Sequence, residues 1–417
     1  MTSSSDRTSS TSVASPDAVD VLLWFGVAML RAGNTASRTH EWMHVMARKM
    51  GFDAVAVSLT ADNVTASVTR TGERVTAMRE VGPQGVNAWR IGELEQLATT
   101  AGLDVSPREI ARRLAEIESK PPRYSDPTIA LAIAAASAAF AFLNGGPPLE
   151  MIAAAIGGGV GHWCRSQLSR RRLSPYGVAA LSAAVASGVY VLAATSASYA
   201  GLGLTRHPAG FISSVLFLVP GFPLIGGLFD LLQHQTVAAV SRFAYGVMIL
   251  LAVTFGLGIV IAFAGVDLTR QPPLELAYPL KLLLRGVASF AAGCAFAMLY
   301  SSAPRIVLAV GFVALGANGL RLLLNDAGMM LAPAAFLASL AIGLVALLVA
   351  RHWSVPAIAI AVPAIIIMVP GVYAFEMFVF FYRGNVIEAI QAAAACSFVI
   401  GALAMGLAAA RLTAGNR

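Results

Sequence analysis

Long apolar runs separated by short polar turns fill the chain from Thr128 to its end. A helix needs about 20 apolar residues to cross the roughly 30 Å hydrocarbon core of a bilayer, and most of the runs approach or exceed that length. The sixth run is the least regular, because Lys281 and Arg285 interrupt it. The pattern predicts ten transmembrane helices, at residues 128–143, 148–164, 175–195, 208–232, 243–265, 276–300, 304–324, 329–350, 354–382 and 386–410.

The first 127 residues show shorter apolar periods, which are typical of a soluble α+β domain. The pattern predicts helices at 16–31, 35–50, 88–101 and 107–119 and strands at 54–59, 64–70 and 74–81. The predicted domain boundaries are a disordered Ser/Thr-rich segment at 1–16, a soluble domain at 17–120 and a proline-rich linker at 121–127.

Composition excludes a wholly soluble protein. Hydrophobic residues make up 57% of the chain and charged residues only 12%, whereas soluble domains are about a quarter charged. Residues 1–127 carry 14 basic and 15 acidic side chains, while 128–417 carry 15 and 7, so the net charge of +7 comes from the membrane half. It therefore gives no support for a nucleic-acid partner. The three cysteines lack a C-x-x-C spacing, and we expect neither metal nor cofactor.

The distribution of arginine predicts the orientation, because Lys and Arg gather on the cytoplasmic side of membrane proteins. A cytoplasmic soluble domain puts nine loop arginines inside and four outside. The nine are Arg165, Arg170, Arg171, Arg172, Arg242, Arg305, Arg351, Arg411 and Arg417. We therefore expect a multi-pass protein of the plasma (inner) membrane with both termini in the cytoplasm.

The sequence Val-Pro-Gly occurs twice, at 219–221 and at 369–371, each time in the fourth span of a five-span block. An odd number of spans gives two consecutive blocks opposite directions across the membrane. Inverted repeats with helices broken at matching positions are a sequence sign of secondary transporters. We therefore predict two inverted five-helix repeats, at 128–265 and 276–410.

Ionisable residues inside apolar spans are costly and usually functional. The proline of each Val-Pro-Gly sequence removes a helical hydrogen bond. The half-helix that starts there has free N–H groups, which suit a substrate carboxylate. A nearby acid suits the ammonium group of an amino acid, or a coupled proton. The predicted substrate and proton pathway comprises Pro220, Gly221, Asp230, Pro370, Gly371, Glu376, Lys281 and Arg285.

Several of these side chains have a structural alternative. Asp230 could cap the turn at 233–235, Glu376 could form a structural ion pair, and Lys281 and Arg285 could reach the lipid headgroups. Glu150 and Asn318 fit helix-start and helix-packing roles better than transport roles.

A rival function rests on His40-Glu41-Trp42-Met43-His44, which matches the H-E-x-x-H pattern of zinc peptidases on a predicted helix. Histidines at i and i+4 can hold zinc while the glutamate activates water. No acid on a following helix has the spacing of a third zinc ligand. Met43, Met46 and Met50 form an apolar stripe on the helix, and the two histidines lie along the polar edge of that stripe. We favour a solvated histidine pair over a membrane-anchored zinc peptidase.

The chain resembles the threonine/serine exporter family from about residue 17 onward. The resemblance is carried by Leu-Arg-Ala-Gly-Asn-Thr-Ala-Ser-Arg at 30–38, Val-Pro-Gly-Phe-Pro at 219–223 followed by Asp230, and Val-Pro-Gly at 369–371. It implies a cytoplasmic domain plus ten helices and proton-driven efflux of threonine and serine. Related split systems are linked to dicarboxylate export, so a dicarboxylate exporter of the same fold is the alternative.

Overall fold

The computed structural model describes residues 18–60, 62–82, 84–171, 173–201, 208–264, 275–353 and 355–413. Residues 1–16, for which the sequence predicts disorder, lie outside these ranges. The described chain is mostly helical and contains one small antiparallel sheet.

The N-terminal region forms a compact α+β unit. Its elements, in chain order, are α1 (Ala18–Arg31), α2 (Ala36–Lys49), β1 (Ala54–Leu59), β2 (Asn63–Arg70), β3 (Glu73–Glu80), α3 (Ala88–Thr100) and α4 (Pro107–Ser119). The strands pair in the order β1-β2-β3. Helix α1 is apolar on nearly every side and buried in the centre of the unit, against α2, α3, α4 and the sheet.

Side-chain caps fix where the helices of this unit begin. The Thr35 hydroxyl accepts a hydrogen bond from the Arg38 N–H, and Ser106 does the same for Glu109 at the start of α4. Between α1 and α2, Gly33 has a φ of +96°, which an L side chain rarely adopts.

The membrane region follows after a short linker that ends at Ser125, the cap of α5. Its helices are α5 (Asp126–Leu143), α6 (Pro148–Arg170), α7 (Pro175–Tyr199), α8 (Pro208–Ser213), α9 (Gly221–Leu232), α10 (Thr236–Ala264), α11 (Tyr278–Leu299), α12 (Pro304–Asp326), α13 (Leu331–Trp353), α14 (Ile358–Ile366), α15 (Gly371–Tyr382) and α16 (Val386–Thr413). A short 3-10 helix, Leu216–Leu218, separates α8 from α9.

Within the described residues, seven of these helices are long and apolar enough to cross a membrane. Two bent pairs raise the number to nine: the segment ending at Leu218 meets α9 at 59°, and α14 meets α15 at 47°. These are the two spans in which the sequence places Val-Pro-Gly. The chain is therefore a polytopic membrane protein.

Helix α6, predicted as the second span, is not among those nine. Its glycines and its polar C-terminal turns make it less apolar than its neighbours. The glycines allow close packing: a Cβ atom at Gly157 would lie 2.5 Å from the Ala186 carbonyl oxygen, and one at Gly161 would lie 2.5 Å from the Ala186 Cβ. Helix α6 therefore packs closely on α5 and α7 with one face, while Ile152, Ile156 and Trp163 leave its other face exposed.

The first five predicted spans and the last five have the same neighbours. In the first set, α5 packs on α6, α6 on α7, α7 on α10 and α9 on α10, while α8 contacts α5, α6 and α7. In the second set, α11 packs on α12, α12 on α13, α13 on α16 and α15 on α16, while α14 contacts α11, α12 and α13. The sets meet where α5 packs on α11, α10 on α15 and α9 on α16.

The N-terminal α+β unit, residues 18–119 and called the soluble unit below, is docked on one end of the helical bundle. The Ala88 N–H donates to the Tyr300 carbonyl at 2.9 Å, and in the linker the Tyr124 hydroxyl donates to the Ser302 carbonyl at 2.8 Å. Ala238 of α10 and Ile358 of α14 join the apolar core of the soluble unit. The turn between α11 and α12 and the first turns of α10 and α14 therefore lie at the same end.

Candidate functional site

The two Pro-Gly breaks have the same backbone geometry. Pro220 has φ −78° and ψ 54°, and Pro370 has φ −78° and ψ 58°. In each case the glycine N–H donates to the carbonyl two residues earlier, Val219 or Val369, at 2.8 Å. These values are typical of an inverse γ-turn. The glycine N–H groups thus form hydrogen bonds within the break. The N–H groups that could bind a substrate belong to the residues that follow, since the first amides of a helix have no partner within it.

The breaks lie against each other. A Cβ atom at Gly221 would lie 3.1 Å from Ile366 Cγ1 and 3.5 Å from Val369 Cγ2. A Cβ atom at Gly371 would lie 2.8 Å from Leu216 Cδ2 and 2.9 Å from Val219 Cγ2. Each glycine therefore packs on the residues before the other break, and the two broken helices meet at their bends.

A cavity of about 540 Å³ lies beside the second break. Helices α8, α10, α15 and α16 form its walls, and aromatic and aliphatic side chains cover most of them. Its polar lining residues are Tyr373, Glu376, Arg383, Glu388 and Gln391. The cavity thus combines an apolar wall with a few polar groups, as binding sites for small molecules do.

Glu376 is the predicted pathway residue that lines this cavity. It lies half-buried on α15, five residues after Gly371. Glu388 and Gln391 come from the first turns of α16, and Arg383 from the turn that joins α15 to α16. The sequence interpretation missed these three because they stand at the ends of apolar runs, where charged residues are ordinary.

Asp230 lies elsewhere, at the end of the bundle that carries the soluble unit. It is fully buried, and its Oδ1 accepts hydrogen bonds from the Ala36 N–H at 2.9 Å and the Ser37 N–H at 3.4 Å. The carboxylate therefore caps the start of α2. The alternative predicted cap, on the turn at 233–235, is not what the carboxylate forms.

Arg242 completes this second cluster. Its Nη2 donates to the Asn34 carbonyl at 2.7 Å, and its Nε lies 3.1 Å from Asp230 Oδ2. The sequence counted Arg242 as a loop charge because the predicted span begins at 243. Helix α10 begins at Thr236 instead, so Arg242 lies almost two turns inside it and is 5% exposed.

Lys281 and Arg285 lie on α11, outside the lining of the cavity. Arg285 Nη1 forms an ion pair with Asp326 Oδ2 at 2.6 Å, which links α11 to α12. One turn further, the Asn318 amide donates to Ser289 Oγ at 2.8 Å and accepts from Arg321 Nε at 2.9 Å. Asn318 thus connects two helices.

Glu150 is fully buried at the start of α6. Its Oε2 accepts the Gly210 N–H at 3.0 Å, at the beginning of α8. Glu150 lies in the first turn of α6, where an acid is expected, and its carboxylate in addition holds the start of the first broken helix.

His40 and His44 contact each other on the partly exposed side of α2. Their Nε2 atoms are 3.3 Å apart and the ring centroids 4.4 Å apart. Glu41, the residue that would activate water in a peptidase, pairs with Arg38 at 2.9 Å. No group of three or more metal-binding side chains is present among the described residues.

Comparison with known families identifies the class of protein. A family profile described as a threonine/serine exporter matches residues 20–264, from α1 to the end of α10. The chain belongs to the threonine/serine exporter family. A second profile, "Threonine/Serine exporter, ThrE", matches residues 285–413. The protein is therefore a membrane exporter and not an enzyme, and the zinc-peptidase alternative is set aside.

Two relatives carry the description "Probable succinate transporter subunit YjjP". The protein of Escherichia coli (strain K12) is 24% identical over 246 residues, which cover 58% of this chain and 92% of the relative. The protein of Klebsiella aerogenes is 25% identical over 238 residues, which cover 55% and 86%. No solved structure matches the chain.

Proposed function

We propose that the protein exports threonine and serine across the plasma membrane in exchange for protons. The observation that carries this proposal is the cavity beside the second helix break, which combines carboxylates with a guanidinium group. Family membership supports export in general, and the lining of the cavity supports the amino acid as cargo.

The charges of the cavity suit a zwitterion better than a dicarboxylate. Two carboxylates, Glu376 and Glu388, and one guanidinium, Arg383, line the cavity. The ammonium group of an amino acid pairs with a carboxylate, and its carboxylate pairs with Arg383 or with the first amides of α15. A dicarboxylate would bring two further negative charges into a lining that is already negative, and unpaired charge in a site of low dielectric constant costs several kcal/mol.

Glu376 is our proposed coupling residue. Intramembrane carboxylates commonly form proton relays in transporters. A proton from outside neutralises Glu376 and releases the ammonium group, and the proton leaves on the cytoplasmic side after the site has turned inward. One carboxylate then serves substrate and proton in turn, which gives antiport.

The two sets of helices support an inverted repeat of ten spans. The shared neighbours, the matching Pro-Gly turns and the mutual packing of the breaks relate α5–α10 to α11–α16. Close helix contacts repeat as well: Gly256 packs on Ala180 and Ala183, and 150 residues later Gly406 packs on Phe336 and Ser339. Helix α6 then corresponds to α12 and counts as the tenth span, and the repeats occupy 128–265 and 276–410.

We place the soluble unit and both termini in the cytoplasm. The soluble unit is docked on the end of the bundle that holds Arg242, Arg305 and Arg411. This is the arginine-rich side, so it is the cytoplasmic side by the distribution of positive charge. The cavity of Glu376 then opens toward the outside.

Transport into inverted membrane vesicles tests the proposal. Vesicles that contain the protein should accumulate labelled threonine and serine when the lumen is acidic, and an uncoupler should abolish the accumulation. Succinate is the competing substrate, because two relatives are described as succinate transporter subunits. Accumulation of succinate without threonine would assign the dicarboxylate function, and threonine uptake that ignores the pH gradient would contradict the antiport.

A further inference from the structure

Asp230 and Arg242 form a buried charged pair next to the first helix break. Asp230 is 0% exposed and Arg242 is 5% exposed. Asp230 Oδ2 lies 3.1 Å from Arg242 Nε without hydrogen-bond geometry, and among the described residues it has no hydrogen-bond partner. Such a pair is stable only if other groups satisfy both charges.

The soluble unit supplies those groups from its backbone. Residues 34–37 comprise the end of the turn after α1 and the first two residues of α2, and are here called the docking loop. They place two N–H donors on Asp230 Oδ1 and one carbonyl acceptor on Arg242 Nη2. An α-amino acid offers the same chemistry, because its ammonium group donates and its carboxylate accepts. A dicarboxylate has no donor for Asp230.

The docking loop also contacts the break itself. A Cβ atom at Gly33, the residue before the loop, would lie 3.4 Å from Phe222 Cε1. Phe222 follows Gly221 and stacks edge-on against Tyr300 at 6.2 Å. The soluble unit therefore closes the end of the bundle at the first break.

The second set of helices has an open cavity at the corresponding place. An offset of 150 residues, which relates the two Val-Pro-Gly sequences, pairs Asp230 with Phe380 and Arg242 with Ala392. Phe380 and Ala392 both line the cavity of Glu376. One end of the bundle is thus open where the other end is filled by the docking loop.

We propose that Asp230 and Arg242 form a second, inner binding site for the exported amino acid, and that the docking loop occupies this site in the present conformation as a backbone mimic of the substrate. This inference rests on the proposed function. Asp230 binds the ammonium group and Arg242 the carboxylate, after the amino acid has displaced the loop. Loop and substrate therefore compete for one pair of charges.

A proline at position 36 tests the competition. Ala36 is the first residue of α2, where proline is well tolerated. Thr35 before it has ψ 154°, which suits a residue that precedes proline. Ala36→Pro thus removes the 2.9 Å hydrogen bond to Asp230 and leaves the helix intact. A hydrogen bond to a charged group corresponds to a change of about tenfold or more in occupancy.

The readout is the labelling of Ser37→Cys by a maleimide, in full-length protein whose three natural cysteines are replaced. Ala36→Pro should increase the labelling rate about tenfold, and threonine should increase it in the parent protein while succinate should not. The matched control is Ala88→Pro, which removes a hydrogen bond between the soluble unit and Tyr300, and it should leave the rate unchanged. Equal acceleration by both variants, or by neither, overturns the inference.

A double variant covers the pair itself. Asp230→Asn alone leaves Arg242 buried without its counter-charge, so we combine it with Arg242→Gln. The double variant should label rapidly and should not respond to threonine; a threonine response like that of the parent overturns the site. The vesicle assay on the unmodified protein keeps the two proposals apart. If the protein exports threonine but threonine does not change the labelling rate, only the inner site is contradicted. If the protein does not export threonine, the proposed function is contradicted.

Discussion

At the scale of single residues, the two candidate carboxylates differ in their surroundings. Glu376 lines a cavity together with Arg383 and Glu388. Asp230 is buried against a guanidinium group and two backbone amides. Glu376 is thus accessible to a solute in this conformation, and Asp230 is not.

We predict that Glu376→Gln lowers the rate of threonine export by about 100-fold or more, because the neutral side chain can neither pair with an ammonium group nor carry a proton. The magnitude is taken from side chains that transfer protons in enzymes, which contribute about 10²–10⁴-fold. The measurement is initial uptake into inverted vesicles at equal protein content. Glu116→Gln, an exposed glutamate on α4, is the control and should transport normally. Export by Glu376→Gln at half the parent rate would assign Glu376 to a structural role.

His44 makes the stability of the soluble unit sensitive to pH. Partial burial, His40 and Arg48 lower the pKa of His44 from its ordinary value of 6.5. As the pH falls through 6.5, the unfolded chain therefore binds more protons than the folded protein does. The free energy of unfolding decreases over this range, until the pH reaches the lower pKa of the folded state. His44→Gln should reduce the loss of thermal stability between pH 7.5 and 5.5. His352→Gln, at an exposed helix end, should lose as much stability as the parent.

At the scale of helices, glycines decide how closely the bundle packs. A Cβ atom at Gly406 would overlap Ser339 Oγ and lie 2.5 Å from the Phe336 carbonyl oxygen. At Gly256 it would overlap the Ala180 carbonyl oxygen. In the same two helices, Gly258 and Gly401 have no atom within 4 Å of the Cβ position.

We predict that Gly256→Ala and Gly406→Ala each destabilise the protein by about 1–3 kcal/mol, the usual cost of overpacking. Gly258→Ala and Gly401→Ala are the matched controls in α10 and α16. These two substitutions should leave the stability unchanged or increase it, because alanine is more favourable than glycine in a helix by about 1 kcal/mol. Thermal unfolding of the purified protein measures the difference, and equal midpoints for all four variants would refute these contacts.

Hydrophobic pattern and turn residues located the helices, because a run of about 20 apolar residues has few other structures in a membrane. The Pro-Gly sequences also located the bends. What the sequence could not provide was which residues meet across the fold. The prediction placed Arg242 in a loop, because its buried position depends on Asn34, which is 208 residues away. The contact of Gly221 with Val369 also joins distant parts of the chain, and no local period encodes it.

At the scale of the whole molecule, the soluble unit and the two sets of helices form one assembly. The soluble unit contacts both sets, through Asp230 and Arg242 in the first and through Tyr300 and Ile358 in the second. A movement that opens the filled end must therefore change these contacts, so we expect the soluble unit to take part in transport.

The proposed inverted repeat makes a prediction about the side of the membrane on which two turns lie. Leu173 lies between α6 and α7, and Met330 lies at the corresponding place between α12 and α13; they are 47% and 75% exposed. Opposite directions of the two sets put these turns on opposite sides of the membrane. An impermeant maleimide should therefore label Met330→Cys in intact cells, and Leu173→Cys only after the membrane is opened, with the natural cysteines replaced in both. Labelling of both positions from the same side would mean that the sets run in parallel, and Glu376 and Asp230 could then not serve opposite faces.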